Sequence, residues 1–140
     1  MTDAPLLADF PARAGDTVRY GDTDRQGHVN NAVFFTFLET GRTQLLLASQ
    51  GPPLEPGTSL VLAHVALDFL AEIHWPGSVS IGTRVTSVGR SSIRFEQALF
   101  QDDRCVATAQ SVTVLVDNAT RRSTPITPTL RSHFERLAAP

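Results

Sequence analysis

The stretch that decides the fold runs from residue 18 to residue 46 and reads VRYGDTDRQGHVNNAVFFTFLETGRTQLL. It opens on the end of a short predicted strand, residues 16–20, and passes into a polar, turn-rich run over residues 21–27. The proline-free segment that follows, residues 28–50, is closed by Gly51-Pro52-Pro53. Placed at about 100° per residue, Phe34, Phe37, Leu38, Gly41, Leu45 and Ala48 share one arc, with Phe35 and Leu46 at its margin. Thr36, Glu39, Thr40 and Thr43 share the other, so the segment is predicted to be a helix. Its apolar arc covers about half the circumference, wider than a surface helix needs. Something must wrap it.

The wrapping material lies downstream. Residues 59–73 are mostly apolar and rich in leucine and valine. Val79, Ile81, Thr83 and Val85 alternate with small or polar residues, as do Ile93, Phe95, Gln97 and Leu99. Residues 105–116 are β-branched and alanine-rich, and their apolar parity shifts between Ala109 and Val112, which predicts a bulge or burial on both faces. Residues 89–92 and Asp102-Asp103 supply hairpin turns, and Thr127-Pro128 opens a short helix over residues 129–137 as N-cap and N1. The order is strand, long helix, then four consecutive antiparallel strands. A helix of 20 residues is about 30 Å long and an eight-residue strand about 26 Å, so one curled antiparallel sheet can enclose a central helix. That is an α+β architecture in a single domain, residues 1–140, whose sheet edges are open to a partner.

Composition narrows the chemistry. The formal charge is −2, from 12 basic and 14 acidic side chains, which offers no general attraction to nucleic acid or anionic membrane. All the basic residues are arginine. Without a lysine there is no Schiff-base catalysis and no Walker-type phosphate lysine. Cys105 stands alone, forms no intrachain disulfide and, lacking an activating neighbour, is expected to be inert. The first residues carry no basic n-region and no apolar run approaches a bilayer span, so a soluble cytoplasmic protein is expected. No GxSxG, Walker A, GxGxxG or HExxH pattern occurs, and the EF-hand spacing begun by Asp22 and Asp24 fails at Val33. No metal is expected. His64 and His74, in the apolar strand region, read as structural.

The polar concentration is YGDTDRQGHVNN, residues 20–31, between a strand end and a helix start. Free N–H groups at a helix N-terminus suit an anion or a developing oxyanion, and a carboxylate beside them can act as base or nucleophile toward a carbonyl. The same residue types also favour Asx-turns and N-caps for purely local reasons. Arg42 projects onto the arc of Phe35, Leu38 and Leu46, where it must be paired or snorkel; Glu39, three residues earlier, is the expected partner.

Residues 18–46 resemble the signature of the hotdog-fold acyl-CoA thioesterases of the 4-hydroxybenzoyl-CoA thioesterase family: Asp-x-Asp, two variable residues, Gly, then a long helix with an aromatic cluster and an arginine. The turn at residues 88–92 and the 121–126 segment are similar more loosely. The resemblance implies hydrolysis of an acyl-CoA to free acid and CoA, with no cofactor beyond the CoA of the substrate. It makes Asp24 the catalytic carboxylate, as base or nucleophile, and Asn31 the backbone N–H that polarises the thioester carbonyl. Gly27 allows close backbone approach, while His28 and Asn30 fill variable positions that tune the substrate or hold Asp24. Arg90 and Ser91 resemble the region that meets pantetheine and the CoA phosphates. Phe34, Phe35 and Phe37 line an acyl pocket or pack the core. Ser78 stands where the family often has an acidic residue; the HGG motif of a related branch is absent, and for that branch's helix glutamate Glu39, about two turns beyond Asn31 and on the polar arc, is a weak substitute. A hotdog hydratase or dehydratase using His28, and a non-catalytic acyl-CoA-binding module, are the alternatives. Edge pairing into a homodimer or homotetramer is expected, with the cleft at the interface.

Overall fold

Alternating sequence and turn chemistry build five strands around the predicted helix. The computed structural model describes residues 3–47 and 51–139. Its elements are β1 (Ala12–Val18), α1 (Asn31–Leu47), β2 (Thr58–Phe69), β3 (Gly77–Val88), β4 (Ser92–Gln101), β5 (Arg104–Asp117) and α2 (Pro128–Glu135). Short 3-10 turns occupy Leu7–Asp9 and Tyr20–Asp22. The strands form one antiparallel sheet in the order β1-β3-β4-β5-β2. The four later strands are therefore not paired in chain order: β2 crosses to the far edge and lies along β5. Asp102 and Asp103, at φ 51° and 63°, make the β4–β5 turn in the left-handed region that such a hairpin requires.

The predicted parity shift in β5 resolves differently. Ala107, Ala109, Ser111, Thr113 and Leu115 all face inward and are buried, so the strand keeps one parity. Polar Ser111 and Thr113 occupy core positions and made the apolar pattern appear to slip. The irregularity of β5 lies upstream, where Leu99 and Phe100 pair with Ala107 and Cys105 and leave Val106 unpaired.

Helix α1 starts at Asn31, three residues later than predicted, because a bridge between Thr23 and Val29 holds the preceding residues in a loop. Ala48 and the rest of the predicted C-terminus, to residue 50, lie outside the described residues. The helix packs over β1, β3 and β4. Phe34, Phe37 and Leu38 bury against Val18, Ile81, Leu99 and Ala109. Gly41 sets the closeness of that packing, since a Cβ there would stand 2.5 Å from Ile81 Cγ2 and 3.0 Å from Gln97 Nε2. Arg42 is buried, but its partner is not Glu39: Nη1 donates to Gln97 Oε1 on β4 at 3.1 Å. Burial lowers its pKa, and the charge of Glu39 acts in the opposite sense. His64 and His74 are both exposed, outside the core.

Helix α2 covers a second cluster, with Leu130 and Phe134 against Val85, Ile93, Phe95 and Leu115. Thr127 caps it as predicted, accepting from the Leu130 N–H at 3.2 Å, and Pro128 follows. Arg131 donates to the carbonyls of Val88 and Gly89 at 3.0 and 2.8 Å, which ties α2 to the β3–β4 turn.

Candidate active site

The two carboxylates of the Asp-x-Asp pair have different occupations. Asp22 Oδ2 accepts the Arg19 N–H at 2.8 Å and lies 3.8 Å from its guanidinium, so it closes the turn after β1. Asp24 sits on the loop that follows. Its N–H donates to the His28 carbonyl at 3.0 Å, and its own carbonyl accepts from Gly27 at 3.1 Å. Gly27 has φ +88°, which the loop needs and a side chain would resist. The Asp24 carboxylate is half-buried; Oδ1 accepts the Gln26 N–H at 2.9 Å, and Oδ2 has no donor among the described residues. One oxygen is held and the other is available.

The start of α1 is built on Asn30. Its N–H donates to the Asp22 carbonyl at 2.9 Å, its carboxamide oxygen accepts from Ala32 at 3.0 Å, and its carbonyl accepts from Val33 at 2.9 Å. The Asn31 N–H is left without an acceptor among the described residues, at the positive end of the helix.

A cavity of about 390 Å³ opens beside it, walled by His28, Asn31, Phe34, Phe69, Leu70 and Glu72. Phe34 is buried and meets Phe69 edge-on at 5.0 Å, whereas Phe37 belongs to the core and Phe35 is exposed. His28 Nε2 lies 3.5 Å from Glu72 Oε1, and the other Glu72 oxygen lies 3.6 Å from His74 Nε2. Glu72 is the residue that sequence reasoning missed; its one signal is an acidic side chain inside the apolar run of 59–73. The N–H of Val29 donates to the Ile73 carbonyl at 2.8 Å and fixes the loop against the segment after β2. Asp24 is not in the wall of this cavity.

Asp24, Gly27 and His28 thus share one backbone-bonded loop that leads into Asn31, with His28 and Asn31 in the cavity wall, whereas Arg90 and Ser91 lie elsewhere. Val18, just before the Asp22–Asp24 turn, pairs with Gly77 at the start of β3, and Arg90 follows the end of that strand. The 12 residues of β3 put roughly 36 Å between the two ends. The Arg90 and Ser91 carbonyls accept from Ile126 and Leu115, both at 2.8 Å. Among the described residues no group of three or more His, Cys, Asp or Glu is arranged to hold a metal.

Comparison with known proteins identifies the family and the fold. The family model described as the Thioesterase-like superfamily matches residues 18–134. A thioesterase from Thermus thermophilus, solved in complex with coenzyme A and Zn, is 32% identical, with 92% of this chain and 95% of that one covered and a TM-score of 0.81. A protein from Pseudomonas aeruginosa is 26% identical over 96% of both chains, with a TM-score of 0.85. A DHNA-CoA thioesterase from Staphylococcus aureus shares the fold at 15% identity and a TM-score of 0.73, over 81% of this chain and 79% of its own. No curated protein sequence matches. The curled sheet around a central helix is the hotdog fold.

Proposed function

The chain belongs to the Thioesterase-like superfamily, and from that premise we propose that it hydrolyses acyl-CoA thioesters to free acid and CoA. The observation that carries the reading is an Asn31 N–H at the start of α1 without an acceptor among the described residues, led into by a loop whose carboxylate, Asp24, has one oxygen without a donor among the described residues. The thioester carbonyl accepts from Asn31, and the helix terminus stabilises charge that develops on its oxygen. Asp24 takes a proton from a water that attacks the carbonyl carbon, or attacks that carbon itself to form a mixed anhydride that water then hydrolyses to the free acid. In both paths the C–S bond breaks and CoA leaves as its thiolate, which takes up a proton. Gly27 holds the loop shape and His28 contributes a wall of the cavity. CoA is the only cofactor-like group required, as part of the substrate, and a cytoplasmic CoA pool is the expected source.

Arg90 and Ser91 reach such a site only from a second copy. The strand β2 lies at a sheet edge and leaves Val61, Leu62 and Phe69 exposed, with Leu70 just beyond its end, a surface suited to pairing with its own copy in a homodimer or homotetramer. Arg90 and Ser91 of the partner subunit then meet the anionic end of CoA. The Asp-x-Asp-x-x-Gly loop supports membership of the 4-hydroxybenzoyl-CoA thioesterase branch.

Thiol release from short, long and aromatic acyl-CoAs, with Asp24→Asn as control, tests the reading; unchanged turnover in the variant sinks it. The proximity of His28 and Glu72 favours one second reading, hydration of an enoyl-CoA, which is measured on the same samples. CoA binding without either reaction identifies a binding module.

A further inference from the structure

One aromatic contact ends the cavity beside Asn31. Phe69, the last residue of β2, stands opposite Ala107 on β5, and directly opposite residues of an antiparallel pair share a face. Ala107 is buried on the inner face, so Phe69 is turned toward α1. The helix packs mainly over β1, β3 and β4, and at this level Phe34 reaches across to β2, its ring meeting Phe69 edge-on at 5.0 Å. Phe34 is 2% exposed and Phe69 48%, so one ring is anchored in the core and the other lies at its margin.

Both rings belong to the cavity wall. On α1 that wall reaches no further than Phe34, and on β2 no further back than Phe69. Behind the rings the space is filled: Phe34 packs in one cluster with Leu38, Ala107 and Ala109, and Leu67 closes against them. The cavity therefore stops at the pair and does not run on along the helix. Three residues separate Asn31 from Phe34, about 4.5 Å along the axis, and the backward lean of helical side chains keeps the ring within about one turn of the Asn31 N–H.

We propose that Phe34 and Phe69 form a stop for the acyl group, so that this chain selects short acyl-CoA esters, up to about six carbons. The inference rests on the thioesterase reading and adds the length of the acyl group to it. An extended chain advances about 1.3 Å per carbon, so a carbonyl bonded to Asn31 has room for about four to six carbons before the chain meets the rings. The rings, Leu70 and Ala71 supply apolar contact over that length. Each methylene buried there strengthens transition-state binding about fourfold, whereas a methylene beyond the rings stays in water and adds nothing. His28 and Glu72, also in the wall, are polar and offer a longer chain no apolar surface to turn onto.

The test measures thiol release from the straight-chain series acetyl-CoA to decanoyl-CoA with the full chain. kcat/KM is expected to rise about fourfold per methylene as far as butanoyl or hexanoyl, and then to level or fall. Phe69→Ala removes the half-exposed ring and should move that break outward by roughly the length of a phenyl ring, about three carbons. Phe34→Leu, which keeps an apolar side chain in the core, should move it by less. The break is read within each protein, so a change in overall activity or assembly does not shift it. A profile that is flat, or that rises unbroken to decanoyl, overturns the proposal and leaves the thioesterase reading standing. So does a break that stays in place in folded Phe69→Ala. Absence of hydrolysis from every ester removes both.

Discussion

At the residue scale the discriminating comparison is between Asp22 and Asp24. Residue types and spacing present them as equals, and each has one oxygen without a donor among the described residues. They differ in that Asp22 Oδ2 meets both the N–H and the guanidinium of Arg19, whereas Asp24 Oδ1 meets only the Gln26 N–H and faces no cation among those residues. Asp24→Asn retains an acceptor for the Gln26 N–H, so the loop should persist while thiol release falls by about 10²-fold or more. Circular dichroism and a thiol-release assay on the same sample check both halves. Asp22→Ala should do the reverse in part, lowering stability by about 1 kcal/mol through the lost turn contacts, as read by denaturant midpoint. Cys105 offers a control: burial pushes its thiol pKa up, with a backbone hydrogen bond at Ala107 acting the other way, so little thiolate exists at neutral pH. Alkylation of the folded chain near neutral pH should be slow and should accelerate on unfolding. Glu72 was illegible in the sequence because its neighbour His28 lies far back along the chain, and no local pattern reports a contact made by β2 turning back to the loop.

At the scale of elements, helix and strand periodicities identified α1, β3 and β4, and the Thr-Pro pair identified the start of α2. Pairing order was not readable, because β2 meets β5 across the whole sheet and no turn signal encodes that crossing. The apparent parity shift in β5 misled for a related reason: Ser111 and Thr113 are polar residues at core positions, which a hydrophobic pattern cannot register. Arg42 went to Gln97 and not to Glu39 because the buried helix face points at β4, while Glu39 stays exposed. Gly41 is the tightest point of that contact. Gly41→Ala inserts a methyl group 2.5 Å from Ile81 Cγ2, a β-branched core side chain with little room to yield. The variant should lose about 1–3 kcal/mol in equilibrium unfolding. Because α1 also carries the Asn31 N–H, any outward shift of the helix should lower kcat as well, and a stability loss with unchanged kcat would show the N-terminus to be anchored by Asn30 alone.

At the scale of the molecule, the proposed reading calls for an assembled enzyme. The chain has no lysine and a net charge of −2, yet its proposed substrate ends in phosphates, so individual arginines must be brought to the site. Arg90 stands at the opposite end of β3 from Asp24, a separation of roughly 36 Å that no side chain bridges. Val61, Leu62 and Phe69 on β2, and Leu70 just beyond it, are exposed apolar residues at a sheet edge, with Leu62 46% and Phe69 48% exposed. A charge at the middle of that edge should block pairing while leaving the α1 core intact, since Leu62 belongs to none of the buried clusters. Leu62→Lys is therefore expected to be a folded monomer by light scattering, with thiol release reduced at least about tenfold and KM for CoA esters raised. For the unsubstituted protein, specific activity should fall on dilution through the dissociation constant of the assembly. A monomeric Leu62→Lys variant with full activity would show that one chain completes the site by itself, without Arg90 of a second copy.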